Sequence, residues 1–318
     1  MNSSHLTQWN WLGLSLFISL LSCLMIFAPT VELDATIVQT RSDLVNVRVA
    51  IIGFHGRQSN NNGSAIALQY MYEWMNASVE VIDGLDVQNG KLFQFDLVIF
   101  PAANPNAYYR ELTPLGIERI RHFVALGGSI LSICRGTEFV VNNLRLADVS
   151  LHLCGAQGVV CYDEHHHDGV SEKYLSELIV NHESTGPQLY AEPDSYWLFA
   201  IGSSYFNWSA RLSILPIMFY ANSELPAMIA LRYGAGTAFL SSPHPEFEEG
   251  DDRDGVTNYD YLNDTDSEWN LLQKISCWLI DASPAAPVEP CIWTFTGISV
   301  AVLFTTIYLL FRRRRQKQ

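Results

Sequence analysis

The sequence predicts an α/β domain with a doubly wound parallel sheet, and three observations carry that prediction. Strand-like and helix-like segments alternate through the first half of the chain, the order expected when helices cross between parallel strands. The first strand-like run, residues 47–52, is largely apolar and β-branched rather than alternating, as befits a strand buried on both faces. A later run, 128–133, passes at Ile133-Cys134-Arg135-Gly136 directly into a helix-like run, 136–143. In a doubly wound sheet, sites gather at the carboxyl ends of strands. The turns after Ile52, Phe100 and Ile133 are therefore expected to line one crevice.

Taken in order, 54–62 is polar with two glycines and reads as a loop, and 65–75 has helical spacing. Residues 79–82 and 96–100 are short strands. An amphipathic helix is expected over 115–126, with Ile117, Ile120 and Phe123 on one face, stopped by Gly127-Gly128. From 151 to 220 the pattern loosens into short strands and turns. Residues 227–232 and 237–241, separated by Tyr233-Gly234-Ala235-Gly236, read as a hairpin, and 267–280 as a final helix. The sequence shows no internal repeats, and 31–281 reads as one domain.

The junction at Cys134 carries the chemistry. A nucleophile on a sharp strand-to-helix turn stands clear of its own backbone, with main-chain N–H groups near enough to hold an oxyanion. A thiol needs a base or a positive neighbour to become a thiolate. His244, just past the hairpin, is the candidate base, and Glu246 the candidate carboxylate that fixes the imidazole tautomer.

The two ends of the chain predict a membrane address. Residues 292–311 are uncharged and apolar and are closed by Arg312-Arg313-Arg314-Arg315 and Lys317. That is the length of a span, roughly 20 residues, with a basic stop-transfer flank that keeps residues 312–318 cytosolic. Residues 1–30 contain a second apolar run and read as a signal sequence or an uncleaved anchor. Either way the main domain is expected outside the cytosol, on a single-pass membrane protein in the secretory lumen, at the cell surface or in the periplasm. Residues 282–291, rich in Pro and Ala, read as a stiff linker.

Charge agrees with that placement. Five of the 19 basic residues lie in 312–317, which leaves 14 against 33 acids. Phosphate binding needs clustered Lys and Arg, so nucleic acid is excluded as a partner. In an oxidising compartment Cys154 with Cys161, and Cys277 with Cys291, are candidate disulfides, buried free thiols being the alternative. Asn62, Asn76, Asn207 and Asn263 head glycosylation sequons.

Two stretches carry a family resemblance. One runs from Tyr109-Arg110-Glu111-Leu112 and Gly116-Ile117-Glu118 through Gly127-Gly128-Ser129 to Cys134-Arg135-Gly136. The other runs from Leu225-Pro226-Ala227 through Gly234-Ala235-Gly236 to Ser242-Pro243-His244-Pro245-Glu246. Together they resemble the N-terminal domain of eukaryotic biotin–protein ligases, which is itself similar to class I glutamine amidotransferases. The similarity spans about residues 47–280. It implies a flavodoxin-like sheet and a Cys-His-Glu triad: Cys134 as nucleophile, His244 as general base and Glu246 as orienting carboxylate. It also implies oxyanion N–H groups from Arg135 and from the loop holding Ala102 and Ala103.

The chain departs from that pattern twice. The family has adjacent glycines where this chain has Ala102-Ala103, and a Cβ strains any backbone that needs φ > 0. Arg135 replaces a small residue, and its guanidinium is suited to lower the thiol pKa, to bind a substrate carboxylate or to block the pocket. No biotin-ligase catalytic domain and no synthetase follows, so the resemblance implies hydrolysis, or a partner protein that receives the product.

Other constellations are weaker. His165 and His167 would share a face of an extended strand, but no motif marks a third ligand, so no metal is predicted. No cofactor is predicted either. The acid-rich stretch 246–266 fails the EF-hand spacing and reads as a solvated loop over the site mouth. Asn104, Tyr108, Tyr109 and Arg110 are candidate rim residues, and Glu138 a neighbour of the thiol. Two functional readings follow. One is a Cys-His-Glu thiol hydrolase acting on an amide or related carbonyl of an unidentified small molecule or peptide. The other is a non-catalytic ligand-binding or scaffold domain on the same fold.

Overall fold

The computed structural model describes residues 41–54, 63–154, 173–209, 214–248, 250, 252–262, 264 and 266–283. Its frame is one nine-stranded mixed sheet. The strands, in chain order, are β1 (Arg48–Ile52), β2 (Ser78–Ile82), β3 (Leu97–Phe100), β4 (Ser129–Ile133), β6 (Lys173–Val180), β7 (Ser195–Ile201), β9 (Ile214–Tyr220), β10 (Pro226–Tyr233) and β11 (Gly236–Ser241). Two further strands, β5 (Val149–Leu153) and β8 (Ser204–Trp208), form a separate antiparallel ribbon.

The sheet order is β2-β1-β3-β4-β11-β10-β9-β6-β7. From β2 to β11 all pairs are parallel; from β11 to β7 all are antiparallel. The leading order 2-1-3-4 with β11 in fifth place is that of one common doubly wound sheet. The expected α/β architecture with a large parallel sheet is therefore present, and four antiparallel strands extend it.

Alternation along the parallel strands separates two cores. Val49 and Ile51 of β1, Leu97 and Ile99 of β3, and Leu131 and Ile133 of β4 face one layer. Ala50 and Ile52, Val98 and Phe100, and Ile130 face the other. The first layer is closed by α1 (Gly63–Trp74) and α5 (Trp269–Asp281), which bury Met71, Tyr72, Trp269 and Trp278. The second is closed by α2 (Gly84–Gln88), α3 (Pro105–Ala125) and α4 (Arg135–Phe139). Both faces of β3 and β4 are buried, which is why these strands are apolar throughout.

Three local features differ from expectation. Helix α3 begins at Pro105, ten residues before the segment expected from spacing. Asn104 caps it by accepting from Asn106 N–H (3.0 Å), Pro105 sits in the first turn, and Thr113 (φ 59°, ψ 172°) marks a kink ahead of Pro114. Tyr108 is consequently not a rim residue: it is fully buried, and its hydroxyl donates to Pro101 O (2.8 Å). The stop at Gly127-Gly128 is as expected. Gly127 has φ 112°, and Gly128 N–H and Gly127 N–H donate to Phe123 O and Val124 O, the bonding of a Schellman cap.

The second difference is the 151–220 region. It holds three seven- or eight-residue strands, β6, β7 and β9, and not only short ones. The third concerns sulfur. Cys277 is buried and free, its thiol directed at Asp43 O (3.6 Å), so it is not paired with Cys291. Cys154 is disulfide-bonded, and its partner lies outside the described residues. Segments 1–30 and 292–318, with His165, His167, Asn62 and Asn263, also lie outside them. Among the described residues no helix is long and apolar enough to cross a membrane.

Candidate functional site

Cys134 lies at the junction of β4 and α4 with φ 49° and ψ −114°. A positive φ on a non-glycine residue is uncommon and marks local strain held by the surroundings. The surroundings here are specific. Cys134 N–H donates to Ser241 O (2.8 Å), at the end of β11. The Thr137 hydroxyl donates to the same carbonyl (2.9 Å), which leaves Ser132 Oγ as donor to Thr137 Oγ1 (2.8 Å). The elbow is thus fastened to the strand that leads to His244. Gly136 completes it, because a Cβ there would lie 2.3 Å from Phe100 O and 2.5 Å from Pro101 O. Only glycine lets α4 start this close to the end of β3.

Past Ser241 the chain turns through Pro243, whose carbonyl accepts the Ser241 hydroxyl (2.8 Å). His244 N–H then donates to Phe199 O on β7 (2.8 Å). His244 is 3% exposed, and its imidazole packs against the rings of Phe199 and Phe247, which also touch each other. Its Nδ1 is 2.9 Å from Glu246 Oε1, and Glu246 is fully buried, its main-chain carbonyl accepting Trp269 Nε1–H (3.1 Å). Glu246 therefore orients the ring, with Nδ1 as donor and Nε2 directed elsewhere. Among the described residues Nε2 makes no hydrogen bond.

Burial opposes the charged imidazolium. The Glu246 carboxylate and the neighbouring Cys134 overcome that cost and raise the His244 pKa above its ordinary value. Cys134 contributes to that rise both through charge and through hydrogen bonding, so thiol and imidazole lie within reach of each other, although Nε2 has no partner at full hydrogen-bond geometry among the described residues. Catalytic hydrogen bonds are often loose before a substrate is bound.

Cys134 opens into a cavity of about 560 Å³. Arg135, Glu138 and Asn142 line it from the elbow side, and Leu151, Leu153 and Ser204 from the ribbon. Ile201, Gly202 and Ser242 complete the wall. Arg135 does not fill the pocket. Its guanidinium is half-exposed and lies 3.8 Å from Glu138, one helical turn along.

The expected oxyanion loop is built differently from its expectation. Neither Ala102 nor Ala103 has a positive φ, so their Cβ atoms create no strain of that kind. Neither lines the cavity among the described residues, and Ala102 N–H donates to Ser64 Oγ at the start of α1 (3.0 Å). Other candidates fall away. Asn104 is a helix cap, and Tyr109 is half-exposed outside the cavity. Two further histidines are engaged elsewhere: His152 stacks on Tyr205, and His182 bonds Leu189 O and Asp194. Among the described residues no group of His, Cys, Asp and Glu is arranged to hold a metal.

Four parts of the site went unread in the sequence: the Ser132–Thr137–Ser241 brace, the Phe199 lid on His244, the Ser64 contact, and the ribbon. Only the ribbon left a signal. Val149, Leu151 and Leu153 alternate with Ser150 and His152, the period of a half-buried strand.

The class this fold and site define is a mixed α/β domain with a strand-to-helix cysteine and a carboxylate-oriented histidine. No family model matches the chain, and no curated protein matches it. Solved structures similar to it include a cytoplasmic protein of Salmonella typhimurium LT2, with 13% identity over 72% of this chain and 99% of that one (TM-score 0.45). A putative ThuA-like protein of Bacteroides uniformis aligns at 12% identity over 73% and 98% of the two chains (TM-score 0.42). Another from Parabacteroides merdae aligns at 12% over 73% and 89% (TM-score 0.45).

Proposed function

We propose that this chain is a membrane-anchored, exoplasmic thiol hydrolase of the class I glutamine amidotransferase-like kind, related to the biotin–protein ligase N-terminal domain. One observation carries the reading. A buried imidazole, fixed at Nδ1 by a fully buried carboxylate and left without a partner at Nε2, sits in electrostatic contact with a cysteine held on a strained elbow at a cavity. A buried polar atom without a partner carries a cost, and a reacting thiol and leaving group offset it.

In this reading Cys134 Sγ adds to an amide or related carbonyl, and the C–S bond forms as the C–N bond breaks. The leaving amine takes its proton from His244. Water, giving its proton to His244, then attacks the thioester, releasing the acid and the thiol. Arg135 N–H is the oxyanion donor adjacent to the nucleophile. Ala102 N–H serves as a second donor only by leaving Ser64.

Anchoring rests on the apolar run 292–311 and its basic flank. The disulfide at Cys154 and the exposed sequon residues Asn76 and Asn207 favour an oxidising lumen or cell surface. The engaged Ala102 N–H favours a second reading, a ligand-binding domain that keeps the fold without turnover.

Iodoacetamide labelling of Cys134 in the full-length, detergent-solubilised chain separates the two. A thiol hydrolase requires His244→Ala to slow labelling at pH 7 by at least about tenfold, a modest share of what a positioned base contributes. Equal rates in the two proteins would sink the hydrolase and leave the binding domain.

A further inference from the structure

The cavity beside Cys134 has a chemical bias that the thiol alone does not explain. On β5, Val149, Leu151 and Leu153 point to one face. Val149 is 9% exposed and belongs to the core, Leu151 packs against that core while lining the cavity, and Leu153 is 64% exposed. The apolar stripe therefore continues past the point where the fold needs it. Ile201, at the end of β7, lines the same cavity. Arg135 and Glu138, the charged groups of the lining, lie 3.8 Å apart and balance each other, which leaves no net charge to select an ionic acyl group. A volume near 560 Å³ falls within the range of small-molecule sites, about 300–1,000 Å³.

We propose that the site takes amides or thioesters of an aliphatic acyl group, with the acyl chain lying along Leu151, Leu153 and Ile201 and its carbonyl at Cys134. The assignment rests on the thiol reading for its chemistry. The Cys134 sulfur bonds the acyl carbon, the bond to the amine or thiol leaving group breaks, and His244 supplies the leaving group's proton. Water then returns the free fatty or branched carboxylic acid and the Cys134 thiol. No oxidant, reductant or metal enters the balance.

The test uses N-alkyl iodoacetamides, in which the sulfur displaces iodide whatever the alkyl group. The full-length chain in detergent is labelled with the N-methyl or the N-hexyl reagent. Adduct formation on the Cys134 peptide is followed by mass spectrometry, and each rate is divided by the rate with glutathione. A fully buried methylene is worth about fourfold in binding, so even partial burial of the hexyl chain predicts a hexyl-to-methyl ratio of at least about 10. Leu153→Ser, at an exposed position that the core does not use, is expected to lower that ratio several-fold, and Ile201→Ser likewise. A wild-type ratio near one, or a high ratio that neither variant changes, overturns the acyl assignment even where His244→Ala slows labelling. A high ratio that the variants lower, with no effect of His244→Ala, supports the apolar chain site and overturns the thiol chemistry instead.

Discussion

The two halves of the large sheet do different work. The parallel half, β2 to β11, carries the candidate site at its carboxyl edge: Cys134 follows β4 and His244 follows its neighbour β11. Adjacent parallel strands end on the same side, so residues 110 positions apart in sequence are brought together by pairing alone. The antiparallel half supplies containment. Phe199 and Ile201 of β7 close over His244 and the cavity, and Gly202 follows them at the rim. The candidate catalytic groups thus come from strand ends, and the buried wall packed against them comes from the added strands.

The sharpest break of this division is Phe199→Ala. Phe199 is fully buried against His244, Phe247 and Tyr259, with ring centroids 4.1 Å from Tyr259. Removing the ring is expected to cost about 3–5 kcal/mol in denaturant unfolding. It is also expected to slow Cys134 labelling in the protein that remains folded, since the imidazole loses its packing. Normal labelling in a destabilised variant would mean that the antiparallel half only adds stability.

Gly136→Ala tests the parallel half. Its Cβ would meet two carbonyl oxygens, both backbone, and neither gives way by a rotamer change. Overpacking of this kind costs about 1–3 kcal/mol. Because the displaced element is the elbow itself, labelling of Cys134 should change more than the unfolding midpoint. An unchanged midpoint would mean that α4 does not need its close approach to β3.

The halves also differed in how much the sequence disclosed. Strands β1, β3 and β4 and the Cys134 turn were legible because a strand buried on both faces has no freedom to be polar, and because Gly127-Gly128 and Gly136 punctuate them. The two short motifs also marked Cys134 and His244 as candidates, and the sheet order places the strands before them side by side. The antiparallel half was not legible as long strands. β6 carries Lys173, Ser176 and Glu177 among its apolar residues, and β9 carries Pro216. A proline lacks the N–H that a central strand needs. Here the ladder shifts register beside Pro216, where β9 carries one extra residue, Ile217, opposite the step from Met228 to Ile229, while Pro216 O accepts Asn181 Nδ2–H (2.8 Å). Tertiary pairing supplied what the local pattern argued against. Tyr108 shows the same limit in reverse: a polar-looking neighbourhood concealed a fully buried side chain.

Glu246→Gln sharpens the comparison within the site. The glutamine keeps the volume and loses the charge that raises the His244 pKa, and the burial that remains acts in the opposite direction. Labelling at pH 7 is expected to fall about tenfold, about 1.4 kcal/mol of lost orientation and charge stabilisation. The pH dependence of stability carries the sign. A histidine whose folded pKa is raised binds a proton that the unfolded chain gives up near 6.5. Its contribution is therefore complete below that pH and is lost as pH rises through the folded value. The stability gap between wild type and Glu246→Gln should be widest in mild acid and close on the alkaline side. A gap that widened with pH would mean that His244 is buried neutral.

Arg135→Ala is the mildest change, and the contrast with Glu246 explains why. Both carboxylates beside the site face a cationic group: Glu246 holds its imidazole fully buried at 2.9 Å, while Glu138 faces its guanidinium half-exposed at 3.8 Å. Water and salt screen the second pair, and exposed pairs of this kind contribute about 0–1 kcal/mol. The unfolding midpoint of Arg135→Ala should therefore move by no more than about 2 °C in a domain of this size, and that small shift should vanish in high salt. A larger, salt-resistant loss would show that the guanidinium anchors the elbow through its aliphatic stem. The departure at residue 135 would then belong to the scaffold of the parallel half, beside Thr137 and Gly136, and not to the mouth of the cavity.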